Sequence, residues 1–155
     1  MSIGRLAAAA GKGAVAGAIG TAAITASQMI ESKIRGREPS TAAAEAVEHV
    51  LDVEPKYQKA EQRLNNVAHF GYGTAWGVPR GILGAIGLRT IPATFLHFVG
   101  VQAAALLVVP KTTDAPPPTE WPKEEIAVET LHHLVYATAA GAAYAWLSRS
   151  EQRAA

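Results

Sequence analysis

The sequence predicts an all-α integral membrane protein, a bundle of four transmembrane helices with a short amphipathic helix in the first connector. Three observations carry that expectation. Four stretches are nearly free of formal charge and long enough to cross a bilayer. Small residues abound, with 32 Ala and 14 Gly in 155 residues. Finally, the phrase His69-Phe-Gly-Tyr72-Gly-Thr74-Ala75-Trp-Gly77 returns 64 positions later as His133-Leu-Val-Tyr136-Ala-Thr138-Ala139-Ala-Gly141, identical at five of nine positions. A water-soluble core of this size would want more large apolar side chains, because Ala buries little area. In lipid, small residues let helix backbones approach closely, and packing holds the helices together. The mean hydropathy of +0.11 is low for a membrane protein, which the two polar connectors account for.

The chain reads as one domain, residues 1–155, with spans at about 10–30, 64–88, 90–110 and 128–148 and polar connectors at 31–63 and 111–125. Gly13 to Ile30 holds no formal charge over 18 residues, and Leu64 to Leu88 holds only Arg80 in 25. Thr90 to Pro110 and Thr130 to Ser148 hold none in 21 and 19 residues. About 20 apolar residues span a hydrocarbon layer of roughly 30 Å. The first run also admits a competing reading as a secretory signal, but it lacks leucine and its small residues are regularly spaced.

In the first connector, Pro39-Ser40-Thr41 reads as a helix start. Ala43, Val47, Val50 and Leu51 share one face of the helix that follows, which is expected to end near Pro55 and to lie at the interface or over the bundle. In the second connector, Pro116-Pro117-Pro118 reads as an extended turn, with Trp121 as an interfacial anchor. Pro79 and Pro92 lie in or beside spans, where kinks are tolerated if neighbours satisfy the freed carbonyl.

Charge and motifs exclude several functions. With 14 basic and 13 acidic residues the chain has no overall pull toward nucleic acid. It has no cysteine, hence no thiolate chemistry or disulfides. It shows no phosphate loop, no zinc-protease motif, no nucleophile elbow and no carboxylate dyad, so an enzyme is not expected.

Small residues recur at every fourth position: Gly13, Gly17 and Thr21 in the first span, Gly73, Gly77 and Gly81 in the second, Ala137 and Gly141 in the last. Residues four apart share a helix face, so each ladder is a groove for a neighbouring helix. His69 and His133 extend the second and last ladders, with Tyr72 and Tyr136 three residues on. Each pair is therefore expected beside a helix contact, facing protein. The bland reading of these pairs is interhelical hydrogen bonding that fixes register. The sharper one is a polar intramembrane site of His69, Tyr72, Arg80, His97, Glu129, His133 and Tyr136, with His69, His97 and His133 as candidate haem or metal ligands. Imidazole also suits a proton relay. Arg80 can stack on Trp76, meet Glu129 as a counter-charge, or lie near a span end and snorkel.

The order of features resembles a family of small bacterial inner-membrane proteins, the YagU-like group. The likeness runs over roughly residues 11–148 and rests on the Gly/Ala first span, Glu31, the Arg37-Glu38-Pro39 turn, His69-Phe-Gly-Tyr72-Gly and His133-Leu-Val-Tyr136. Pro79-Arg80 and the Pro-rich loop depart from that pattern. The resemblance implies a four-helix, multi-pass inner-membrane protein and transfers no activity. Positive residues are more numerous in the connectors, but acidic residues gather there too, and both termini are expected in the cytoplasm.

The leading expectation is therefore a non-catalytic structural or accessory membrane protein. It would associate with a protein partner or a second copy of itself through its small-residue faces, with no bound cofactor and no nucleic acid. A transporter of protons or a small solute, using the intramembrane His and Arg, is the alternative. A haem- or quinone-binding redox subunit and a soluble Ala-rich helical domain are further ones.

Overall fold

The computed structural model describes residues 2–154, with side chains to residue 149. It is all-α: α1 (Ile3–Arg35), α2 (Ala42–Leu51), α3 (Gln58–Ala85), α4 (Thr90–Thr112) and α5 (Lys123–Ala154), with one 3-10 turn at Pro118–Glu120. No strand occurs among the described residues.

Local chemistry sets the helix ends. Ser2 caps α1, its hydroxyl accepting from the Arg5 N–H. At the other end Gly36 adopts a left-handed conformation (φ 64°) and its N–H closes onto the Ser32 carbonyl, a termination that glycine permits. The last turn of α1 carries Lys33 and Arg35, and the first turn of α5 carries Glu124 and Glu125. Both placements suit the helix dipole. The expected second span stops at Ala85, three residues early, because Gly87 (φ 91°) turns the chain into α4. Pro92 is not a kink. It falls in the first turn of α4, where an N–H would have no intrahelical partner. Pro79 is inside α3 and leaves the Ala75 carbonyl without its helical donor.

Of the four expected spans, α1 and α4 are long and apolar enough to cross a membrane by length and composition. The other two, α3 and α5, have 28 and 32 residues but are less apolar. They begin in charged turns and carry His69, Tyr72, Arg80, Glu129, His133 and Tyr136 of the candidate site, while His97 lies on α4.

Packing follows the ladders. α1 lies most extensively on α3 and next on α5, α5 also lies on α4, and α3 and α4 touch more lightly. Gly13 and Gly17 mesh with Gly73, Gly77 and Gly81. A Cβ added at Gly77 would fall 2.1 Å from the Gly13 carbonyl oxygen, and one at Gly81 would fall 2.1 Å from that of Ala9. The contacts run in opposite sequence directions, so α1 and α3 are antiparallel. In the second half, Gly141 receives the Thr94 hydroxyl of α4, which would lie 2.2 Å from an added Cβ. Gly77 and Gly141 thus each accept the long helix that precedes their own. All six ladder glycines named from sequence meet neighbours within this chain.

α2 corrects the expected amphipathic face. Its buried residue is Ala44, while Val50 and Leu51 point outward. Docking is set by polar contacts instead: Asn65 Oδ1 accepts from the Ala44 N–H, and Asn65 Nδ2 donates to the Ser40 carbonyl.

Polar side chains are buried beside a small apolar core of Ala, Ile24 and Val101, while many large apolar side chains face outward. Thr21, Arg80, His97 and His132 are buried, whereas Ile91, Phe95, Leu96, Val99 and Leu107 on α4 and Leu131, Leu134 and Trp146 on α5 face outward.

Candidate functional site

The expected polar residues do not form one cluster. They occupy three levels along α5, which runs through the polar interior.

At the first level α5 meets the C-terminal end of α1. His132 is buried, its Nδ1 2.9 Å from Ser27 Oγ and its Nε2 4.0 Å from Glu31 Oε2. Glu31 accepts from Arg37 Nη2 (2.7 Å) and Arg35 Nη1 (3.1 Å), and Arg35 reaches across to Glu125. These carboxylates lie outside the apolar stretches. Hydrogen bonds from Arg37 and then Arg35 hold Glu31 below the usual carboxylate range, and Arg35 does the same to Glu125. The clasp joining α1 to α5 is therefore complete above the ordinary carboxyl value of 4.5 and fades as pH falls through the lowered values of the folded protein. Hydrogen exchange should show the ends of α1 and α5 losing protection together in acid, beyond the intrinsic rate change. Unchanged protection would mean that the ion pairs do not hold the helices.

Beside this clasp, His133 donates from Nδ1 to Gln102 Oε1 on α4 (3.0 Å), and its Nε2 lies 3.6 Å from Glu129. Glu129 is therefore the partner of His133, not of Arg80. The Arg80 guanidinium lies at Tyr144, 15 residues further along α5, which is about 22 Å of helix. His69 is partly buried, with no partner for Nε2.

Tyr136 makes the second level. Only 3% exposed, it lays its ring over Gly20 of α1 and donates its hydroxyl to the Gly73 carbonyl of α3 at 2.6 Å. Its ring also stands 5.5 Å from that of His97, whose Nε2 donates to the Trp76 carbonyl at 2.9 Å. The expectation that both His–Tyr pairs face protein fails for Tyr72, which is 50% exposed and edge-on to Trp76. Tyr136→Phe is accordingly expected to cost about 1 kcal/mol, the net worth of one hydrogen bond. Tyr72→Phe should stay within about 0.5 kcal/mol, as surface changes do. Parallel thermal melts of the two variants compare them, and equal losses would refute the asymmetry.

The third level belongs to Arg80, 1% exposed, with its guanidinium carbon 4.7 Å from the centre of the Tyr144 ring. It neither stacks on Trp76 nor snorkels outward. Tyr144 donates to the Gly81 carbonyl at 3.2 Å, and Gly84 leaves room for its ring. Nε and Nη1 of Arg80 have no hydrogen-bond partner.

Both tyrosine bonds join residues 63 apart, so α3 and α5 run parallel with a register one residue short of the 64-residue spacing of the repeated phrase. Tyr144 was missed from sequence, though it stands two turns beyond Tyr136 on the same face. Ser27 and Gln102 were missed as well, and their only signal was being polar within apolar runs.

His69, His97 and His133 do not converge. Among the described residues no group of three or more His, Asp or Glu is placed to hold a metal ion. In comparisons with known proteins, no family model, no curated protein and no solved structure matches the chain.

Proposed function

We propose that the chain is an integral membrane protein whose four long helices all cross the bilayer, and that it serves as a non-catalytic structural or accessory component. The observation that carries this reading is the extent of large apolar side chains on the outside. Arg80, His97, His132, Thr21 and Tyr136 are buried among small apolar residues, whereas Ile, Leu, Val and Phe cover the outside, notably on α4. Exposed apolar area of that extent is a liability in water and the normal surface in lipid. The less apolar α3 and α5 fit a bilayer because Arg80 on α3 and His132, Tyr136 and Tyr144 on α5 turn inward, as intramembrane polar groups do. This reading agrees with what the YagU-like resemblance implies, a four-helix inner-membrane protein, and the orientation proposed from the charge distribution keeps both ends in the cytoplasm.

Because the glycine ladders are filled within the chain, association with a partner or a second copy falls to the outer apolar faces. Membranes washed with alkaline carbonate should retain the protein, and release into the supernatant would defeat the proposal.

A second reading, permeation of protons or a small solute, is favoured by one observation: buried or half-buried polar groups at successive levels along the helices. His133, Tyr136 and Tyr144 on α5 lie alongside His69 and Arg80 on α3 and His97 on α4. Flux into proteoliposomes that drops in His133→Ala would support it over a purely structural role.

A further inference from the structure

We propose that Arg80, His97 and Tyr144 frame a binding site for a small oxyanion that still carries a proton, of which bicarbonate and dihydrogen phosphate are the types. The inference starts from unmet hydrogen-bonding groups. Arg80 is buried, has no carboxylate partner among the described residues, and leaves Nε and Nη1 unbonded. A buried guanidinium in that state is costly, and such groups normally pair with an anion or carbonyl oxygens. Tyr144 covers one face of the cation with its ring, supplying attraction but accepting no N–H bond.

His97 supplies the complementary half. Its Nε2 is committed to the Trp76 carbonyl, one turn before Arg80 on α3. With the proton on Nε2, Nδ1 of the neutral ring is a lone-pair acceptor, and it too is buried without a partner. Two guanidinium donors and one imidazole acceptor are matched by an anion offering acceptor oxygens together with one O–H. Chloride and acetate lack that hydrogen. So does the phosphodiester of a lipid headgroup.

Pro79, next to Arg80, has no N–H to give the Ala75 carbonyl, so α3 is one hydrogen bond short beside the proposed site.

The test uses the full chain purified in a non-ionic detergent. Thermal unfolding is followed while bicarbonate, phosphate, acetate, chloride or a short-chain phosphatidylglycerol is added at fixed pH and ionic strength. Saturable stabilisation by bicarbonate or phosphate, raising Tm by several degrees, is expected. Acetate, chloride and the phosphodiester lipid should have no such effect. In Arg80→Gln the anion response should vanish, and in Tyr72→Phe it should persist. Equal shifts with chloride or acetate, a shift with the phosphodiester alone, or no shift with any anion would each overturn the proposal. Should Arg80→Gln not fold, the wild-type anion series decides by itself, supported by the ¹⁵N resonance of the Arg80 Nε, which must move with the favoured anion.

Discussion

Gly77→Ala is expected to destabilise the protein by about 3 kcal/mol or more, the upper part of the range for overpacking. The added methyl group would sit 2.1 Å from the Gly13 carbonyl oxygen and 2.7 Å from Gly17 Cα and N. Those are backbone atoms, so no rotamer change can relieve the clash, and α1 must move off α3. The matching control is Gly11→Ala on α1, where an added Cβ meets nothing within 4 Å. That change should be neutral or gain up to about 1 kcal/mol, since Gly in a helix is disfavoured relative to Ala. At this chain length the Gly77 variant should lose roughly 6–12 °C in Tm. Melts of both variants in one detergent measure the contrast, and a Gly77→Ala protein as stable as Gly11→Ala would show that α1 and α3 do not interlock.

Arg80→Met should act in the opposite direction. Leaving a buried charge without its partner costs about 3–5 kcal/mol, and its attraction to Tyr144 returns only about 0.5–2 kcal/mol. In buffer free of oxyanions the methionine variant is therefore expected to be more stable than the parent by about 1–4.5 kcal/mol, the difference of these two effects. Adding bicarbonate or phosphate should narrow that gap by stabilising only the parent. A variant less stable than the parent in anion-free buffer would mean that Arg80 is already satisfied.

Much of the helical framework could be read from residue types. Charge-free runs located the long helices, Pro39 and the Thr41 region announced α2, and the four-residue spacing of Gly13, Gly17, Gly73, Gly77 and Gly81 identified the contact faces. These are properties of single helices. What could not be read was how one helix is set against another. Glu129 looked like a partner for Arg80 because both were charges at the margins of spans, yet the parallel register of α3 and α5 puts them near opposite ends. Tyr72 and Tyr136 looked equivalent because each stands three residues after a His in the repeated phrase, but only Tyr136 meets Gly20 and Gly73. The face of α2 was misjudged because hydrophobicity was weighed without Asn65, a hydrogen-bonding residue more than a turn away in another helix. Arg80 stood out from the start as the lone charge of its span, and its inward turn onto Tyr144 depended on a residue eight positions past the repeated tyrosine.

The central position of α1 bears on the order of biosynthesis. α1 is made before α3 and α5, both of which pack on it, and α5 follows α3 and α4. Until then α1 has α3 for company but an uncovered flank of Gly20, Ile24 and Ser27. Closure of this five-helix packing therefore waits on α5, and a nascent chain stalled before α5 would display that flank to whatever insertion or quality-control machinery surrounds it.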